Sequence, residues 1–226
     1  MNNTRMEHLD EIIDETAYVG HSFTETLVSG RVPVERLRAW AVQKYHQTFE
    51  QNRGFSFIHA VAPYEDVRQW EMEQLIAEET TLRDGSEAHY NLMKRFAIAL
   101  GAGEDLDGTP AAPQVRAFLD YLLNVCRNEH FVYGLLAFYV NERQTPAAVQ
   151  KMYDHLTGEM GMSPYDTEWF QVHGEVDIRH SDGARTLIMK YAGEAPGFNQ
   201  RAAGFVRRGC AQWRQLQNFY YSLIAR

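Results

Sequence analysis

One stretch of this chain carries side chains whose types and spacing suit a metal ion: Trp169-Phe170-Gln171-Val172-His173-Gly174-Glu175-Val176-Asp177-Ile178-Arg179-His180. On a helix of 3.6 residues per turn, His173, Asp177 and His180 fall at i, i+4 and i+7, on one face within about 60°. Two imidazoles and a carboxylate then converge. This nitrogen and oxygen donor set suits non-haem iron or a related divalent metal and leaves positions open for oxygen. The competing reading is a solvated polar face on which Glu175 and Arg179 pair and the histidines are incidental. Carboxylates arriving from other helices would separate the two, because a binuclear site in a bundle needs them.

Two such carboxylates stand at the ends of apolar stripes. Glu142 follows Phe131, Leu135, Phe138 and Tyr139, so it either marks a helix end or points into the bundle. Glu78 falls on the face of Leu75 and Leu82, an unfavourable place for an acid with no partner. His89, at the start of the next segment, could close the set. The Glu-x-x-His pairs of ferritin-like dimetal bundles are absent. So are GxGxxG, the phosphate-binding GxxxxGK[ST], GxSxG and HExxH. Cys126 and Cys210 are too few and too far apart for a disulfide framework or a CxxC site, and read as small buried hydrophobes.

Helices must position these residues. Apolar side chains recur at helical spacing almost everywhere, and no segment alternates as a strand would. The spacing predicts a first helix with the stripe Leu9, Ile12, Ile13 and Ala17, ended by Gly20, and a short piece over residues 21–29. A long helix over 33–62 begins with Pro33 in its first turn and is stopped by Pro63. Further helices are expected over 66–83, 87–100, 114–141, 147–156, 167–191 and 198–225, with Pro146 in the first turn of the helix over 147–156. The expected architecture is all-α, a bundle of seven to eight helices in a single domain over residues 1–226, with its chemistry on facing helices.

Composition narrows the class of function. Hydrophobic residues at 45% and charged residues at 23% are ordinary for a soluble globular chain, which excludes disordered and fibrous classes. With 22 Lys and Arg against 30 Asp and Glu, the net charge of -8 argues against nucleic acid as a partner. The amino terminus has no apolar core of signal-peptide type, so a cytoplasmic protein is expected. The longest apolar run, residues 131–140, is far short of the roughly 18 residues that span a bilayer, and no membrane partner is expected.

From Glu78 to His180 the chain resembles the haem-oxygenase-like diiron oxidases, the TenA/PqqC-like or CADD-like superfamily. The matching pieces are Glu78-Glu79 ahead of His89-Tyr90-Asn91-Leu92, then Asn141-Glu142-Arg143-Gln144-Thr145-Pro146, then His173-x3-Asp177-x2-His180. His21-Ser22-Phe23, Gly30 and the helix holding Trp40 to Tyr45 add a weaker likeness, shared with metal-free relatives. The resemblance implies six metal ligands: Glu78, His89, Glu142, His173, Asp177 and His180. In the family the first glutamate stands closer to the histidine. Here Glu78 is eleven residues ahead of His89 and Glu79 ten, which points to an insertion around residues 80–86. Either acid can then be the first ligand, and the face shared with Leu75 and Leu82 favours Glu78.

What the resemblance implies is a haem-oxygenase-like bundle holding two iron ions, with manganese admissible, and using O2 as co-substrate to oxidise a small organic molecule in a biosynthetic pathway. It admits an external electron donor and a homodimer. Family chemistries include oxidative C–C cleavage of amino or fatty acids, N-oxygenation, nitrile formation and production of p-aminobenzoate from the enzyme's own tyrosine. An amino-acid-like substrate is preferred, because Arg179, Lys190, Arg207 and Arg208 near the last helices could hold a carboxylate. The rival readings are a metal-free PqqC-like oxidase, a TenA-like hydrolase with a cysteine nucleophile, and a non-catalytic helical interaction protein.

Overall fold

A computed structural model describes residues 3–225. Among them the chain forms ten α-helices and no strand: α1 Asn3–Asp14, α2 Ser22–Leu27, α3 Val34–Gln51, α4 Arg53–Val61, α5 Glu65–Glu79, α6 His89–Ala99, α7 Pro113–Asn128, α8 Phe131–Gly158, α9 Glu168–Tyr191 and α10 Phe198–Ile224. Eight of these have eleven residues or more. The all-helical bundle expected from the apolar spacing is the one observed. One continuous apolar core runs from Met6 to Ile224. The most extensive pairing is α8 against α9, and α5 and α6 both reach α9, so the helices carrying the polar cluster meet in the interior. No helix among the described residues is long and apolar enough to cross a membrane.

Several boundaries differ from the sequence expectation, three of them inside expected helices or at Pro146. The helix expected over 33–62 is interrupted at Asn52, where α3 gives way to α4. Two residues on, Gly54 approaches α8 so closely that a Cβ there would lie 2.7 Å from the Phe138 ring. The helix expected over 114–141 breaks at Glu129 and His130, both extended, and the His130 imidazole accepts a hydrogen bond from the Val132 N–H to cap α8.

Pro146 does not begin a new helix; it lies inside α8. A proline there supplies no N–H and crowds the carbonyl four residues back, which belongs to Glu142. The side chains of Gln144 and Thr145 donate to the carbonyls of Val140 and Asn141 one turn earlier, which keeps the helix hydrogen-bonded around the irregularity. The backbone is thus loosened at the carboxylate that the sequence singled out.

Candidate metal centre

Helix α5 turns an unusual face inward. Val67, Glu71, Gln74 and Glu78, at i, i+4, i+7 and i+11, are all buried. The helix ends at Glu79, so Leu82 lies in the following loop with 79% of its surface exposed. The face argument for Glu78 therefore needs correcting: the neighbours that bury it are not Leu75 and Leu82 but a polar stripe of its own helix and the histidines opposite. Glu79 is exposed.

The loop over residues 80–88 reverses the chain through Asp84 and Gly85, with φ of 56° and 146°. This brings His89, at the start of α6, back onto Glu78. The His89 Nδ1 lies 2.9 Å from Glu78 Oε1, and Nε2–H donates to the Asp84 carbonyl at 2.7 Å. From α9, His173 donates Nδ1–H to the Trp169 carbonyl at 2.8 Å, which leaves its Nε2 facing Glu78 Oε1 at 3.8 Å. The His89 and His173 rings meet edge to face with centroids 4.8 Å apart. One ligand atom each of Glu78, His89 and His173 lies within 4.8 Å of the others.

Asp177, His180 and Glu142 are buried around the same point, with 4–6% of their surface exposed. All three interact electrostatically with Glu78. Trp70 meets the His180 ring edge-on at 6.1 Å, and Trp169 stacks on His173 at 4.1 Å.

The electrostatics are those of a cluster of donors able to hold a cation. Burial would raise the Glu78 carboxyl, but the charge and hydrogen bond of His89 outweigh it, with His173 and His180 adding to this once acid protonates them, and hold it low, at about 2. Burial would lower His89, and Glu78 reverses that, to about 9. Burial, reinforced by His89, presses His173 down to about 3, and burial lowers His180 to about 4. Glu142 and Asp177 are pushed well above the usual carboxylate range, by burial first and then by neighbouring acids. Glu71, raised by burial, is a further buried acid, and its Oε2, like Glu78 Oε2, has no hydrogen-bond partner. Buried charges are normally paired or bound to metal, and orphaned acceptors are costly. A divalent cation taking oxygen and imidazole donors would satisfy all of these groups, so the residues present fit iron or manganese better than a cysteine-rich structural zinc site.

The four cations suggested for substrate lie elsewhere. Arg179 pairs with Asp84 at 2.9 Å and Lys190 with Asp66 at 2.7 Å, both on the outer surface, and Arg207 and Arg208 are exposed. The structure instead brings two unanticipated groups inward. Glu71 is one, and its place two turns before Glu78 was a legible signal. Lys44 is the other, on the stripe of Leu37 and Trp40; burial pulls its ammonium down to about 8 against the opposing charges of Asp177 and Glu78. Tyr18 also interacts with Asp177, and its phenol is raised by burial in spite of a hydrogen bond with Thr145.

The arrangement of helices is the haem-oxygenase-like fold. It superposes on a haem-oxygenase-like domain of unknown function from Shewanella denitrificans with a TM-score of 0.79 at 11% identity, covering 98% of this chain and 93% of that one. A CADD-like protein of Nostoc punctiforme gives 0.74 at 18% identity, over 98% and 96%. The chain belongs to the family of iron-containing redox enzymes, whose sequence profile matches residues 38–214. It is thus an enzyme of oxidoreductase type. Among its relatives is the 4-aminobenzoate synthase of Nitrosomonas europaea, 29% identical over 235 residues that span 99% of this chain and 94% of the relative. The 4-aminobenzoate synthase of Chlamydia trachomatis is 28% identical over 185 residues, 81% of this chain and 78% of that one.

Proposed function

We propose that this protein is an O2-dependent oxidase with a two-metal centre that forms 4-aminobenzoate or a closely similar small amino acid. Glu78, His89, Glu142, His173, Asp177 and His180 hold the metals in this reading. The observation that carries it is the interior cluster of three imidazoles and several carboxylates with too few counter-charges. Two iron ions held there, with manganese admissible, supply the redox chemistry that O2 activation requires. The relatives named 4-aminobenzoate synthase support the substrate class.

The protein's own groups do the rest. The Trp169 carbonyl fixes the His173 tautomer and the Asp84 carbonyl orients His89, as outer partners of metal-binding imidazoles do. Trp70 and Trp169 wall the histidines from water. Tyr18, next to Asp177 and Thr145, is the tyrosine to follow if the enzyme consumes one of its own. Electrons come from the substrate or from an external donor.

The cysteine-hydrolase alternative has little support. Cys126 and Cys210 are both buried, and burial raises both thiols, which makes poor nucleophiles. Anaerobic loading with Fe(II), metal analysis, exposure to O2 and mass spectrometry of the small molecules test the proposal. About two metals per chain and O2-dependent appearance of 4-aminobenzoate are expected, by the binuclear stoichiometry. Full metal occupancy without that product rejects the substrate, and a single firmly bound ion rejects the two-metal centre.

A further inference from the structure

A narrow cavity adjoins the ligand cluster, walled by Tyr18, Trp40, Lys44, Trp169, Gln217 and Tyr220 among others. With the open solvent at its mouth included the space is about 260 Å³, of which about 20 Å³ is wide enough for the centre of a water molecule. It borders the cluster through Trp169, whose indole stacks on His173, and through Tyr18, which interacts with Asp177.

The polar groups around this cavity are unmatched within the protein. The Trp40 and Trp169 indole N–H groups and Gln217 Oε1 are buried and have no hydrogen-bond partner. Those three residues are 2%, 4% and 5% exposed. Lys44 Nζ lies over the Trp169 ring at 4.8 Å and the Trp213 ring at 5.9 Å, and donates one hydrogen bond, to Gln47 Oε1 at 3.2 Å. Gln47 Oε1 already accepts from the Tyr220 hydroxyl at 2.8 Å. Among the described residues no carboxylate stands within ion-pair distance of Lys44. Lys44 is half-buried, and an ammonium set between two indole rings with no carboxylate beside it leaves a charge for a ligand to answer.

The inventory is three donors, one of them cationic, against one free acceptor, between aromatic walls. Donors with a positive charge call for an anion, and indole N–H groups at the edge of an apolar slot suit a planar carboxylate. A single ammonium does not match the double charge of a phosphate. The free Gln217 carbonyl adds one requirement: the ligand must also donate a hydrogen bond.

We propose that this cavity binds a small aromatic carboxylic acid bearing an amino or hydroxyl group, with Lys44 as the charge partner of its carboxylate and Gln217 accepting from its amino or hydroxyl hydrogen. The identification of that acid as substrate or product rests on the oxidase reading above. The donor and acceptor inventory does not. Admitting a ring requires Met152 and Lys44, the unbranched, flexible side chains in the wall, to shift aside.

Equilibrium binding to the full chain, with and without Fe(II), tests this by tryptophan fluorescence and calorimetry, using 4-aminobenzoate, benzoate and the uncharged benzamide. Both acids are expected to bind, and benzamide about tenfold more weakly or worse, since it lacks the charge that Lys44 answers. Lys44→Met should weaken both acids by about tenfold or more while Lys44→Arg restores part of the affinity. Gln217→Leu should erase the preference for 4-aminobenzoate over benzoate, a readout that loss of packing alone would not move. Equal affinity for benzoate and benzamide in the wild-type protein overturns the proposal whether or not a variant folds. Acid binding without 4-aminobenzoate formation supports the cavity and counts against the oxidase reading, whereas product formation without acid binding overturns the cavity alone.

Discussion

His89 Nδ1 lies 2.9 Å from Glu78 Oε1 although eleven residues separate them, and both side chains are almost fully buried. The loop between them returns on itself at Asp84 and Gly85, and the Asp84 carbonyl takes the other His89 nitrogen. The segment that lengthens the spacing therefore also orients the histidine. Glu79, one residue on, faces solvent. Glu78→Gln should lower Fe(II) affinity by at least about tenfold, the scale seen for lost support in metal sites, while Glu79→Gln leaves it unchanged. Competition against a calibrated chelator measures both, and a larger loss at Glu79 would contradict the assignment.

Replacing His173, Asp177 or His180 singly by Ala should reduce bound iron and leave helical circular dichroism largely intact. Each lies on one face of α9, and α9 is held mainly by its pairing with α8. Full iron retention in all three variants would remove them from the site.

Metal binding should release protons. Burial and neighbouring acids hold Glu142 and Asp177 protonated well above the ordinary carboxylate range, and Glu78 raises His89 to about 9. His173 and His180, lowered to about 3 and about 4, are neutral already and have none to give. Ligands bind metal in their deprotonated forms, so affinity should rise with pH through the neutral range and fall as acid restores the protons. Calorimetry in buffers of different ionisation enthalpy counts the released protons; no release, or tighter binding at lower pH, would be inconsistent with this charge state.

Gly183, three residues after His180, faces the Trp70 indole so closely that a Cβ would overlap it, and Trp70 in turn packs against His180. Gly183→Ala should cost about 1–3 kcal/mol in thermal or denaturant unfolding, as overpacking does, and also weaken metal binding. An unchanged melting temperature with normal metal content would show that Trp70 yields without disturbing the histidine.

The helical class and the shared, buried face of His173, Asp177 and His180 on α9 were legible in the sequence because they depend on periodicity within one helix. His173, Asp177 and His180 share a face wherever that helix packs. Helix ends were less legible. Pro146 reads as a start, yet its neighbours' side chains bond the carbonyls one turn back and the helix continues through it. Residues 33–62 read as one helix, whereas α3 gives way to α4 at Asn52, next to the close approach of Gly54 to Phe138. Which polar residues lie inside was decided by tertiary packing. Glu71 and Lys44 resemble ordinary charged positions in one dimension, and Arg179 and Lys190 resemble candidate ligand-binding cations. Glu71 is buried and Lys44 half-buried toward the interior, while carboxylates at Asp84 and Asp66 engage the second pair. The physical reason is that desolvation and pairing depend on distances between segments remote in sequence, whereas periodicity is local.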